Sequence, residues 1–367
     1  MNRISIVFAR MPPRVHQSFR RFHSRILNET EINEIHKINE NTGDLFSISD
    51  LARMQTDVSS LKHILNTEIL RRLSKTIVNL PNLFNPSIRD QRSYQFIEDY
   101  FHMNFKEISK LKTRRMDEKD FLFTIKHVEI RLGGTTEIIS DAILSSGILS
   151  KNEEHICLQS DINTIFKSNL SVEVLVSLVV GGLTSRLYLD PETGLIKNIN
   201  TAFDNARYLC EQYYISSSEL IITGDEELKF AYFPSHLYLI FFEIIKNSLR
   251  ASVEHHGEGC EHIPPVVIHL DTEDDFIVVC LQDSGGGYRN GDLTNLFQFF
   301  RTSASINSMS LYQGAHSSPL AGYGFGLGMV KIYLEQFSGQ ILLENTSEGM
   351  IVKLKFKLCP DQALETK

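Results

Sequence analysis

Two architectures in series are predicted for this 367-residue chain: an all-α helical bundle of the four-helix type, then an α/β sandwich whose mixed sheet carries helices on one face. Three observations predict them. Apolar residues recur at three- and four-residue spacing over most of Glu29 to Leu183. After Gly181-Gly182 the texture shifts to short β-branched and aromatic runs interrupted by helical segments. Towards the C-terminus, two pairs of such runs each flank a short polar turn, which is the pattern of hairpins.

Before Glu29 there is no acidic residue, whereas Arg3, Arg10, Arg14, Arg20, Arg21 and Arg25 recur among apolar and serine residues. This composition predicts a mitochondrial presequence over 1–28, its positive charge drawn by the organelle's potential; a basic tail that binds something acidic is the plainer alternative. Within the bundle, assigned to 29–183, the spacing predicts a helix over Ile48 to Leu80 that Pro81 stops. Further helices are predicted over Ser93 to Leu111, Lys119 to Arg131, Thr136 to Leu149 and Ile162 to Val180. The sandwich is assigned to 184–360, with 361–367 a short tail. Its strands are predicted over Arg186 to Asp190, Leu220 to Thr223 and Lys229 to Phe233, with helices over Asn200 to Tyr213 and His236 to Glu254. Val266 to Leu270 and Phe276 to Leu281 form one hairpin around Asp271 to Asp275; Gln340 to Asn345 and Met350 to Lys357 form another around Ser347-Glu348-Gly349.

The balance of 37 Lys and Arg against 45 Asp and Glu leaves a net charge of −8, which argues against nucleic acid as a general partner. The five cysteines are widely separated, without the paired spacing of a zinc knuckle, and read as reduced thiols. Val172 to Leu183 is too short to span a bilayer and contains Glu173, so no membrane span is predicted.

Three segments carry chemistry. In Phe241 to Arg250, Glu243 and Asn247 are one turn apart and share a helix face with Arg250; an amide oxygen can ligate Mg²⁺, and a carboxylate beside it can orient or deprotonate a nucleophile. Asp283-Ser284-Gly285-Gly286-Gly287 leaves a strand, where an aspartate can accept from an exocyclic amino group and glycines let a flat base approach the backbone. Gly322-Tyr323-Gly324-Phe325-Gly326-Leu327-Gly328 opens a helix, whose free amides suit a phosphate. No strand precedes these glycines and no Gly-Lys-Ser/Thr follows, so neither a Rossmann nor a Walker loop is indicated. Taken singly, a polar helix face, a turn and a glycine loop would explain each.

Their order is the N, G1, lid and G2 series of the ATP-binding fold shared by gyrase, Hsp90, MutL and histidine kinases. Within it the chain resembles the mitochondrial kinases of pyruvate and branched-chain 2-oxoacid dehydrogenases. The stretches that carry the likeness are Leu209 to Tyr214, Pro234-Ser235-His236-Leu237-Tyr238, Glu243 to Ala251 and Pro319 to Leu327. It is strong from about Asn200 to Asn345 and weaker in the helical half. The resemblance implies ATP and Mg²⁺, with K⁺ a further candidate, in a site of Lys246, Asn247, Arg250, Asp283, Gly285, Gly287, Thr302 and the run Gly322, Tyr323, Gly324, Phe325, Gly326, Leu327 and Gly328. Asn247 would ligate the metal, Asp283 would hold the adenine amino group, and Glu243 would act as base on a substrate serine. It implies a mitochondrial matrix kinase that inhibits the E1 component of a 2-oxoacid dehydrogenase, pyruvate foremost. A homodimer and a lipoyl domain of E2 are further implied partners.

Four features depart from that family. Leu239 stands where a histidine one turn before the glutamate usually supports it, and Arg131-Leu132 stands where Arg-His is usual. Leu170, Val174 and Leu178 replace a basic, His-bearing helix, and Gly328 replaces a frequent proline. The first three motivate an alternative, a nucleotide-binding pseudokinase of the same fold. A chaperone- or MutL-like ATPase is disfavoured by the small helical half, and His63, His127 and His316 lack a phosphoacceptor context. The chain has no tryptophan and stops ten residues past Lys357, so the Asp-Trp docking extension common in these kinases is expected to be missing.

Overall fold

The computed structural model describes residues 27–41, 46–84, 92–113, 118–139 except 137, 152–257 except 215, 260, 262–289, 291–300 and 324–358. Most of the expected presequence, most of the expected helix over Thr136 to Leu149, and the polar segment Arg301 to Ser318, where the resemblance would put the lid, lie outside these residues. The chain divides into two units. One is helical and ends at Leu187; the other runs from Tyr188 and also takes in the short helix up to Arg53.

In the helical unit, α1 (Glu29–Asn39) opens on a capping box: Asn28 Oδ1 accepts from the Glu31 amide at 2.9 Å, and the Glu31 carboxylate accepts from the Asn28 amide at 2.8 Å. The single helix expected over Ile48 to Leu80 is instead three: α2 (Ile48–Met54), which falls almost wholly to the second unit, and α3 (Val58–His63) and α4 (Ile69–Leu83), which are joined by a π-helical turn over Ile64–Glu68. The break follows from Asp57, whose extended backbone and carboxylate cap the amides of Ser59 and Ser60 and so begin a new helix. Pro81 does not stop α4. It removes one bond near the end of the helix, and the helix closes two residues later, where Phe84 turns extended.

Helices α5 (Arg92–Thr113), α6 (Glu118–Gly133) and α7 (Asn152–Leu183) complete the bundle: α4 packs on α5 and α7, and α6 packs on α5 and α7, closing a four-helix ring with α1 laid against α4. The core of the ring includes Leu73, Tyr100, Ile108, Val128 and Leu175, all fully buried. Its α7 is long and apolar enough over Gln159–Leu183 to cross a membrane, but most of that stretch is buried within the protein, as in the core helix of a bundle.

The second unit holds β1 (Asp190–Gly194), α8 (Leu195–Tyr214), β2 (Leu220–Gly224), β3 (Lys229–Tyr232), α9 (Pro234–His256), β4 (Val266–Glu273), β5 (Phe276–Gln282), α10 (Gly326–Glu335), β6 (Gln340–Asn345) and β7 (Met350–Lys357). The first strand falls later than Arg186 to Asp190, because the Thr193 hydroxyl donates to the carbonyl of Tyr232 and so registers β1 against β3; α8 then starts at Leu195, ahead of Asn200. The main sheet is mixed and has the order β2-β4-β5-β7-β6, with β2 and β4 parallel and the other pairs antiparallel.

Alternation puts Ile268, Leu281 and Val352 in one cross-strand row and Leu270, Val279 and Leu354 in the next, all buried on the same face. Helix α9 packs on α8, α10 and β4. Phe356 of β7 meets Phe230, Tyr232 and Phe241, so an aromatic cluster locks α9 to the sheet. This fixes which face of α9 is left for chemistry.

Candidate nucleotide-binding site

A cleft of about 500 Å³ opens between α9, the segment after β5 and the start of α10. Glu243, Lys246, Asn247, Arg250, Asp283, Gly285, Gly287, Gly324, Gly326 and Leu327 all line it, so most of the residues singled out in the sequence meet in one place. Helical spacing explains the α9 set: the apolar residues Leu237, Ile240, Phe241, Ile244, Ile245 and Leu249 face the core, which turns 243, 246, 247 and 250 to the opposite side.

Asp283 follows β5 directly and is buried. Its Oδ1 accepts from the amides of Gly285 and Met350, each at 3.0 Å, which ties the exit of β5 to the start of β7. Burial pushes its carboxyl above the ordinary aspartate range, while the Met350 and Gly285 amides and the Ser248 hydroxyl pull it back. Around it Ile244, Leu343, Met350 and Val352 supply apolar surface suited to a flat ring. Gly285 must lack a side chain, since a Cβ there would lie 2.5 Å from Cβ of Ala251. Gly287 has φ +70°, and the loop that carries it is pinned by Asn345, which accepts from the Tyr288 amide at 2.7 Å and donates to the Tyr288 carbonyl at 3.0 Å.

The phosphate-suited end is the N-terminus of α10. No side chain caps it among the described residues, so its first-turn amides are available to an anion. Arg250 adds a cation on the α9 side: its Nε lies 3.1 Å from Glu254, which also accepts from the Tyr214 hydroxyl at 2.8 Å. Glu243 lies against α10, where a Cβ on Gly326 would sit 2.2 Å from its Oε2. The carboxylate therefore occupies space that only glycine leaves open, beside the amides that would hold phosphate. Asn247, one turn along, lines the cleft, and its side-chain amide makes no hydrogen bond among the described residues. A single amide oxygen near amides suited to phosphate would fit Mg²⁺, which takes few protein ligands and fills the rest from phosphate and water.

Gly328 and Phe325 are buried structural positions. Phe325 packs on Phe299 and Phe300, and a Cβ on Gly328 would meet the Phe299 ring at 2.6 Å. Thr302, Gly322 and Tyr323 lie outside the described residues. Ala251, Asn345 and Gly349 were not singled out in the sequence, although a Cβ on Gly349 would lie 2.0 Å from the Asp283 carbonyl. The Ser347-Glu348-Gly349 turn was the signal at hand, but its meeting with Asp283 depends on strand order.

Of the departures, Leu239 is 39% exposed and offers no polar group. Leu132, Leu170, Val174 and Leu178 are buried, and the adjacent Arg131 donates Nε to Asn104 at 2.8 Å and pairs with Glu107, so the helical-half departures are packing positions of the bundle.

Residues 233–360 match the family described as histidine kinase-, DNA gyrase B-, and HSP90-like ATPase. The chain is 35% identical over 217 residues to a mitochondrial [pyruvate dehydrogenase (acetyl-transferring)] kinase of Drosophila melanogaster, covering 54% of this chain and 52% of that protein. It is 25% identical over 303 residues to isozyme 1 of Rattus norvegicus, covering 75% and 66%, and 24% identical over 318 residues to isozyme 3 of Homo sapiens, covering 79% and 77%. The match spans about half to two thirds of the length of the first two of these relatives.

Proposed function

We propose that the chain is a divergent member of the family of the pyruvate dehydrogenase kinases, a mitochondrial protein serine kinase that transfers phosphate from Mg-ATP to the E1 component of a 2-oxoacid dehydrogenase complex and thereby inhibits it. The matrix is the compartment in which that substrate class is met, and pyruvate dehydrogenase is the first candidate because the relatives are named for it. The observation that carries the reading is the meeting of Glu243 with Gly326: a carboxylate at the phosphate-suited end of a cleft whose other end holds a buried aspartate and an apolar floor.

Each residue has a task. Asp283 accepts from the adenine amino group while its other bonds keep β5 and β7 together. The α10 amides and Arg250 hold phosphate oxygens, and Asn247 is the residue that would hold Mg²⁺, whose charge offsets that of the phosphates. Glu243 accepts the serine hydroxyl proton as the oxygen–phosphorus bond forms and ADP leaves. Phosphoryl transfer requires chiefly positioning and charge neutralisation, so this set is sufficient for it.

Leu239 favours a second reading, in which the chain binds nucleotide and a partner but transfers poorly. Incubation of the protein with Mg-ATP and purified pyruvate dehydrogenase complex separates the two. Progressive loss of dehydrogenase activity supports the kinase; undiminished activity beside measurable Mg-ATP affinity supports the pseudokinase.

A further inference from the structure

We propose that Lys246 is a positioning residue for Glu243, fixing the carboxylate that receives the serine proton, in a chain whose position 239 supplies no polar partner. The inference rests on the reading of Glu243 given above.

Position 246 is three residues after 243, so both side chains leave α9 on the same face. The Lys246 ammonium lies 2.7 Å from Oε1 and 2.7 Å from Oε2 of Glu243, a symmetric grip on both oxygens. Lys246 is only 6% exposed, and its Nζ sits 5.3 Å from the centre of the Phe242 ring. This cation is therefore confined, unlike the mobile head of a surface lysine, whose ion pair would count for little. From the other side the carboxylate abuts Gly326, where even a methyl group would collide at 2.2 Å. Held between an ammonium and a backbone, Glu243 has one place to be.

The grip also leaves it able to act. An ionised carboxylate offers about four lone-pair positions; Lys246 takes two, and the others remain for a hydroxyl proton. Leu239, one turn before Glu243, offers neither donor nor acceptor. A lysine whose ammonium is directed at a carboxylate is not thereby directed at phosphate, so its loss should be read in turnover and not in nucleotide affinity.

The test uses the full-length protein with Lys246→Met, Lys246→Arg and the double variant Glu243→Gln/Lys246→Met. Mg-ATP dissociation constants come from calorimetry, turnover from single-cycle transfer of labelled phosphate to E1, and folding from thermal unfolding. Lys246→Met should keep the dissociation constant within about threefold while transfer falls about 100-fold, within the range attributed to a proton acceptor. Lys246→Arg should restore at least about tenfold of that loss, and the double variant should be no slower than about twofold below Glu243→Gln alone. Weakened Mg-ATP affinity with unchanged transfer would make Lys246 a phosphate ligand and overturn the inference, as would unchanged values in both. If the wild type transfers nothing to E1 but hydrolyses ATP, the kinase reading falls, and the same ratios measured on hydrolysis decide the inference. A wild type that does neither overturns both.

Discussion

Replacing Asp283 by asparagine separates its structural bonds from its proposed contact with adenine. Oδ1 accepts from the Gly285 and Met350 amides at 3.0 Å each, and asparagine can keep that oxygen in place, so the β5–β7 connection should survive. Alanine would instead leave two partly buried amides without their acceptor, at up to about 1–3 kcal/mol each, and confuse unfolding with recognition. In Asp283→Asn the second oxygen becomes an NH₂ group, which would face the amino group of adenine donor to donor. The lost bond is one to a charged acceptor, worth about 1.5–3 kcal/mol, and at 1.4 kcal/mol per decade this is roughly a 10- to 100-fold loss of ATP affinity. Inosine triphosphate presents a carbonyl where adenine has its amino group, so the new NH₂ can donate to it, and its affinity should hold or rise. Calorimetric titration of both nucleotides with Mg²⁺, beside thermal unfolding to verify the fold, measures the difference. Equal losses for the two nucleotides would refute the assignment of Asp283 as the group that reads the base.

Three further outcomes follow from the same geometry. Gly326→Ala places a methyl group 2.2 Å from Glu243 Oε2, so the carboxylate must leave its seat; transfer should fall at least about 100-fold while α10 stays folded, as circular dichroism would verify. Asn247→Ala should abolish the Mg²⁺-dependent part of nucleotide binding, measured as the ratio of ATP affinities with and without the metal, and an unchanged ratio would remove Asn247 from the metal site. His236 is fully enclosed by Phe233, Tyr333 and Tyr188, and burial pulls its pKa from 6.5 down to about 3. Below pH 6.5 the unfolded chain takes up a proton that the folded one refuses, so stability is lost as pH falls from 6.5 towards 3, by at most about 1.4 kcal/mol per pH unit. His236→Gln should flatten that slope in urea midpoints measured at pH 7 and pH 5.

Much of the site is legible in the amino-acid sequence because its parts are local. Glu243 and Asn247 share a helical period, Asp283 ends a strand of Val278-Val279-Cys280-Leu281, and the glycines from Gly322 open an apolar helix. The bundle is legible for the same reason, apart from its breaks. There, a cap at Asp57 outcompetes the continuous periodicity of 48–80, and a proline so near a helix end proves tolerable. What the sequence does not display are the contacts that depend on strand order and close approach. The Asp283–Met350 bond spans 67 residues, the Gly326–Glu243 approach joins two helices, and the β1 register hangs on one threonine hydroxyl. The Lys246 clamp is local in spacing, yet i,i+3 charge pairs are common on helices, and only its burial marks this one as different.

In the proposed function Glu243, seated against Gly326, serves transfer of phosphate from Mg-ATP to a serine of a 2-oxoacid dehydrogenase. Single-cycle transfer of labelled phosphate to purified pyruvate dehydrogenase E1, run for the wild type and Glu243→Gln at matched nucleotide occupancy, tests it most directly. The expected result is label on an E1 serine with the wild type and at least about 100-fold slower labelling with Glu243→Gln. Equal labelling by the two proteins, or none by the wild type on pyruvate or branched-chain E1 while Mg-ATP is bound, would contradict it.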